Sequence, residues 1–148
     1  MQLNEPEKQQ AELEQAVSDV LTEARRRGAS AAEASAHRDR GLSATVRLGE
    51  VETIEHTNDN GLAISVYFGQ HKGSASTADL SREAIRETVE AACNIARYTQ
   101  EDNCAGLADA DLMARDIPDL DLFHPWTVSV DEAVNAARRC EDAAREKD

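Results

Sequence analysis

The sequence is short of cysteine, of basic residues and of long apolar runs, and each shortage removes a class of protein. Its three cysteines, Cys93, Cys104 and Cys140, are an odd number without C-x-x-C spacing. Neither a disulfide framework nor a zinc knuckle is therefore expected, and they read as reduced, mostly buried thiols. No stretch approaches the roughly 20 apolar residues of a membrane span. The polar start from Met1 to Gln10 has no apolar signal core, so the cytoplasm is the expected compartment. Lys and Arg number 16 against 29 Asp and Glu, for a net charge of −13. A surface that neutralises phosphates needs clustered cations, so neither nucleic acid nor an anionic membrane is an expected partner. The one basic run, Arg25-Arg26-Arg27, ends a predicted helix just before Gly28, where cations meet the negative end of the helix dipole.

What is present suffices for a core. At 148 residues, with 41% apolar and 30% charged residues, the chain fits one domain, which at this size buries roughly 68–70% of its unfolded surface. After Pro6, Leu13, Val17, Val20, Leu21 and Ala24 recur at helical spacing, and Gly28 follows as a natural stop. From about Glu33 the period becomes 2, with Leu42, Ala44, Val46 and Leu48 opposite Ser43, Thr45 and Arg47. Gly49-Glu50 reads as a two-residue hairpin turn into a strand from Val51 to His56. Asn58-Asp59-Asn60-Gly61 reads as a second turn, followed by a strand in which Leu62, Ile64, Val66 and Phe68 alternate with Ala63, Ser65 and Tyr67.

A second helix is predicted after Asp79-Leu80-Ser81, capped by Ser81 and carrying Ile85, Val89, Ala92, Cys93 and Ala96 on one stripe. Thr99 to Leu122 holds seven acidic residues and one Arg, with Pro118 barring a long helix. Residues 99–126 thus form an acidic connector, with a short helix expected around Ala108 to Ala114. Ser129-x-x-Glu132 fits a capping box for a last helix over 129–148. That helix meets no stop signal, which suggests that the natural chain continues. The fold class is α+β: an antiparallel β-meander of three to four strands packed against amphipathic helices.

No catalytic or metal-binding constellation is complete. His37, His56, His71 and His124 never approach H-E-x-x-H, nor lie three to five residues apart, so they read as surface or loop histidines. A calcium loop started at His56 would place Asn58, Asn60 and Gly61 correctly, but it begins with His where Asp is needed and ends on Tyr67. Asp119 and Asp121 are paired carboxylates without a sign of the pocket that acid–base work requires. Gly73-Ser74-Ala75-Ser76 lacks the second glycine of a G-x-S-x-G elbow; its small residues suit a close approach of two backbones. Phe123-His124-Pro125-Trp126 follows the connector, and Trp126 reads as a core anchor before a partner anchor.

Several segments in order carry a resemblance: Arg47-Leu48-Gly49-Glu50-Val51-Glu52, Gly61 through Tyr67, and Lys72-Gly73-Ser74-Ala75-Ser76-Thr77-Ala78-Asp79-Leu80-Ser81. They resemble the amino-terminal domain of the TldD/PmbA family, once called modulators of DNA gyrase. Ile95 through Thr99, Ala105 through Asp109 and Pro118 through Pro125 look like the PmbA (TldE) side of that family. The resemblance runs from about Leu13 to about Ala144.

It implies that 1–148 is the single amino-terminal domain of a longer, noncatalytic subunit, with the last helix leading towards a carboxy-terminal domain. It implies a TldD-type partner subunit that carries zinc on an H-E-x-x-x-H helix, with no cofactor in this chain. The implied substrates are unfolded or leader-bearing peptides, including microcin precursors and antitoxins. No ligand residue of the family transfers to this sequence. Gly73, Ser74, Ser76 and Trp126 stand as candidates for contact with an extended peptide or the partner. The alternative is a regulatory protein whose acidic surface engages a basic partner, such as a DNA topoisomerase.

Overall fold

The computed structural model describes residues 5–122 and 124–147; Phe123 of the aromatic cluster lies outside them. The elements run α1 (Glu5–Arg26), β1 (Ala31–Arg47), β2 (Glu50–Phe68), β3 (His71–Thr77), α2 (Arg82–Tyr98) and α3 (Val130–Arg145). The strands form one sheet in the order β1-β2-β3, and β3 pairs antiparallel to β2 from Leu62↔Thr77 to Phe68↔His71. The fold is α+β. The chain divides into two compact units, Met1–Arg38 with Asp59–Met113, and Asp39–Asn58 with Ala114–Asp148. β1 and β2 each contribute to both.

The first unit is built on period matching. Leu62, Ile64 and Val66 alternate along β2, and all three are buried. Against them pack Ala16, Val20 and Ala24 of α1 and Ile85, Val89, Ala92, Cys93 and Ala96 of α2, with Ala32, Ala34 and Ala36 of β1 at the margin. Burying each branched side chain contributes roughly 1.5–3 kcal/mol, so this cluster outweighs any single polar contact of the unit. Both helices end as their sequences predict. Gly28, at φ +86°, follows the last turn of α1, and the Ser81 side chain accepts from the Ala84 amide at the start of α2. Thr88, the one buried polar side chain among the described residues, donates to the Ala84 carbonyl at 2.7 Å.

The arginines after α1 are tied down by acids. Glu23 accepts from Arg26 and Arg27 at 2.7 Å each, and Arg27 reaches Glu90 of α2 at 3.0 Å. The Arg26 guanidinium first, then Arg27, holds the Glu23 carboxyl down at about 2, against the opposing effect of its partial burial.

The second unit comprises the distal β1–β2 hairpin, the end of the connector and α3. Its hydrogen bonds are local and specific. The capping box closes, with Ser129 bonded to the Glu132 amide and the Glu132 carboxylate bonded back to the Ser129 amide. The Glu141 carboxylate accepts from the backbone amides of Leu48 and, at 2.7 Å, Gly49. Arg138 donates to the Gly49 carbonyl at 3.2 Å. Val134 is the one buried side chain of this unit among the described residues.

Five expectations need correction. The hairpin turn is Leu48-Gly49, one residue earlier than expected, with φ +54° and +82°; two successive positive φ angles are the type I′ pattern that suits the strand twist. Asn58-Asp59-Asn60-Gly61 is no turn, because β2 runs unbroken from Glu50 to Phe68. Gly61 serves close approach instead, since a Cβ there would lie 2.1 Å from the His37 ring, and Asn60 accepts from Arg38 at 2.9 Å. The stretch from Ala108 to Ala114 makes a single turn, closed by the Leu112 amide on the Asp109 carbonyl at 2.9 Å, and no helix. Only Cys93 of the three thiols is buried, and burial pushes it up. Trp126 is 80% exposed and anchors no core.

Candidate functional site

α1 and α2 cover one face of the sheet in the first unit, and strand alternation decides what reaches the other. β2 presents Ala63, Ser65 and Tyr67 there, and the register places Ser76, Ser74 and Lys72 of β3 beside them in turn. From β1, Glu33 joins this face. The Tyr67 hydroxyl donates to Glu33 at 3.0 Å. The Lys72 ammonium lies 3.7 Å from the same carboxylate and 5.5 Å from the Tyr67 ring centroid. Tyr67 is consequently 3% exposed although it points away from the helices. The Tyr67 hydroxyl first, and then Glu33, holds the Lys72 ammonium above its usual range. The three residues clamp the three strands in one row.

The next row is made of hydroxyls. Ser65 and Ser74 lie opposite each other and share a hydrogen bond of 2.9 Å. Activating a serine needs a base within reach, and the partner of Ser74 is another hydroxyl. His71 sits on the other parity of β3, its Nδ1 2.9 Å from the Thr99 carbonyl. Among the described residues, no three His, Cys, Asp or Glu side chains are grouped to hold a metal ion. This part of the face is a surface of small residues and hydroxyls beside the β3 strand.

The four candidate residues do not form one site. Ser74 and Ser76 share the open face, both exposed. Gly73 points the other way and is buried; a Cβ there would meet the Ala92 carbonyl at 2.1 Å and the Ala96 amide nitrogen at 2.4 Å. Its small size lets α2 lie directly on β3, which is the close backbone approach expected of this run. Trp126 belongs to the second unit. Glu33, Tyr67 and Lys72 were not singled out from the sequence. The Tyr67–Lys72 pair was within reach, because a two-residue turn at Gly69-Gln70, with Gly69 at φ +62°, fixes the register of β2 against β3.

The sequence and the fold both have relatives. The family described as PmbA/TldA metallopeptidase domain 1 matches residues 32–96, a span that holds the sheet of the first unit and nearly all of α2. Metalloprotease PmbA of Escherichia coli O157:H7 is 49% identical over 99% of this chain, and a PmbA homolog of Haemophilus influenzae is 52% identical over 95% of it. The chain belongs to the TldD/PmbA family. It corresponds to a first domain of that family, and it spans about a third of the length of these relatives, 32% and 31% respectively. The crystal structure of TldE from Thermococcus kodakarensis shares the fold at a TM-score of 0.69, with 21% identity, over 90% of this chain and 30% of that one. Among the described residues, no helix is long and apolar enough to cross a membrane.

Proposed function

We propose that this chain is the amino-terminal domain of a PmbA/TldE-type noncatalytic subunit, which pairs with a zinc-bearing TldD-type subunit in a cytoplasmic protease. The observation that carries the reading is the 49–52% identity to PmbA metalloproteases over almost the whole chain. The local chemistry is consistent with a scaffold: an open face of hydroxyls and a strand edge without a general base. In this role the domain forms part of the body that receives unfolded or leader-bearing peptides, such as microcin precursors and antitoxins. Ser74 and Ser76 would face an extended peptide, Trp126 would meet the partner, and Gly73 would keep β3 seated on α2. Zinc and its chemistry belong to the partner subunit.

Reconstitution tests this directly. The full-length subunit and a TldD-type partner are expected to co-elute as one complex and to cleave an unfolded peptide that neither cleaves alone. Undiminished cleavage by the partner alone, or two separate elution peaks, would sink the proposal.

A further inference from the structure

We propose that the edge of β1 beneath the outer flank of α1 takes up an extended peptide as a fourth strand, with large aliphatic side chains four residues apart. β1 is one edge of the three-stranded sheet, and the stretch concerned, Ala31 to Ala36, belongs to the first unit. On the central strand, Leu62, Ile64 and Val66 are buried. Ala32, Ala34 and Ala36 of β1 pack on the same cluster yet stay half-buried, because a central strand has a neighbour on both sides and an edge strand on one. The helix above reaches past that edge. Towards α2, α1 presents polar Gln15, Asp19 and Thr22. On its other flank Leu13, Val17 and Leu21 recur at helical spacing and are half-buried. They line two depressions against β1, one of about 370 Å³ beside Ala36 and one of about 170 Å³ beside Ala31 and Ala32. An apolar cavity of about 150 Å³ holds a benzene-sized group, so each has room for an aliphatic side chain. Ala32 and Ala36 share one side of β1 and lie roughly 13 Å apart, so a strand laid along it would deliver residues i and i+4 to the two depressions.

The edge lacks the usual guards against pairing. Ala31 to Ala36 contains no Pro and no Lys, and its one charge, Glu33, is turned to the opposite face of the sheet, where it accepts from Tyr67. The β3 edge differs. It carries Lys72, and the connector fastens to its start through the Asp102 amide on the Gln70 carbonyl and the His71 ring on the Thr99 carbonyl. The two depressions are bordered by one acid, Glu14, and one base, Arg25, so side-chain size, not charge, selects the occupant. A second copy of this chain, pairing through its own β1, would bring only alanines to the depressions and leave them unfilled. The choice of a peptide as occupant rests on the reading of this domain as part of a body that receives extended peptides. It adds a place for one on the edge opposite the strand of Ser74 and Ser76.

The test titrates a fluorescein-labelled peptide of alternating leucine and threonine, closed by lysines for solubility, with this chain and with the full-length subunit, and reads anisotropy with no TldD-type partner present. Saturable binding to both is expected. A peptide of the same composition with its leucines grouped together should bind roughly tenfold more weakly or worse. N-methylation of every leucine amide, or of every threonine amide, blocks one edge of the peptide backbone at a time. Only one of these two peptides should lose binding, because alternate amides of an added strand point to its neighbour. Leu13→Gln with Leu21→Gln should weaken binding of the parent peptide roughly tenfold or more; if that variant folds poorly, the N-methylated pair decides. No binding by the full-length subunit, equal binding of the two N-methylated peptides, or a chain that is dimeric and stays so in excess peptide would each overturn the proposal. No cleavage enters this measurement, so its failure and a failed reconstitution are told apart.

Discussion

The two units share β1 and β2 but hold themselves together by different means. In the first, eleven side chains from α1, β2 and α2 form one cluster of buried residues, and polar contacts decorate it. In the second, Val51, Ile54, Ile117, Leu120, Leu122 and Trp126 are all exposed, and order rests on a capping box and on one carboxylate that grips a hairpin tip. Apolar residues are present in both; what differs is whether another layer lies over them. A strand pattern of period 2 becomes a core only when a helix stripe of matching length packs on it, and in the second unit α3 brings one buried residue.

If that contrast is right, the most damaging single change belongs to the first unit. Gly73→Val should cost roughly 3 kcal/mol or more, or prevent folding, because its Cβ would overlap backbone atoms of α2 at 2.1 and 2.4 Å and a helix backbone cannot rotate away as a side chain can. Urea denaturation followed by circular dichroism measures this. A loss below about 1 kcal/mol would show that α2 is not seated rigidly on β3, and the contrast would fail.

A smaller effect concerns acid. The Glu23 carboxyl, held by Arg26 and Arg27, is lowered from 4.5 to about 2. A depressed carboxylate contributes its full stability above the unfolded value and loses it as pH falls through the folded one. Stability should therefore decline between about pH 4.5 and pH 2, and Glu23→Gln should remove that part of the slope. The size is about 2 kcal/mol, after discounting for the solvent around Arg26, whose side chain is 63% exposed. Denaturation midpoints at stepped pH for both proteins give the comparison, and parallel curves would refute it.

The second unit should answer to Glu141. Replacing it with Ala leaves the Leu48 and Gly49 amides to water and should cost about 1 kcal/mol, since the site is partly exposed. Hydrogen exchange supplies the sharper readout. Amide protection should fall at the hairpin tip and along α3, while β2 residues 62–66 keep theirs. Equal loss at both places would mean that the two units unfold as one.

What could be read from the sequence follows the same division. α1, α2 and the capping box of α3 were legible because their signals are local: a stripe of period 3.6, a Ser at the cap, a Gly after the last turn. The Asn58–Gly61 run misled because the same residues serve turns and close approaches, and the choice was made by His37 on a neighbouring strand. Trp126 misled for a related reason: burial is a property of what lies across from a residue, and no period reports that. The Glu33–Tyr67 bond and the Glu141 grip join residues 34 and 93 positions apart, so they become visible only with the pairing of β1 to β2 and the docking of α3.

The smallest expected effect is also the most discriminating about the second unit. Leu48 adopts φ +54° with 72% of its surface exposed. A branched apolar residue in the left-handed region is strained by roughly 1 kcal/mol, and it recovers little by burial. Asn-Gly is the preferred pair for a type I′ turn, so Leu48→Asn should stabilise the chain by about 0.5–1 kcal/mol, with slower exchange at the hairpin tip. A natural sequence that keeps Leu where Asn fits better is holding an apolar side chain out at the tip of a hairpin already gripped by Glu141. If Leu48→Asn stabilises the isolated chain yet weakens assembly with a TldD-type partner, the tip is a contact, and the exposure of the second unit is the mark of an interface. If it destabilises the chain, Leu48 is packing locally, and the second unit has more of a core than its burial shows.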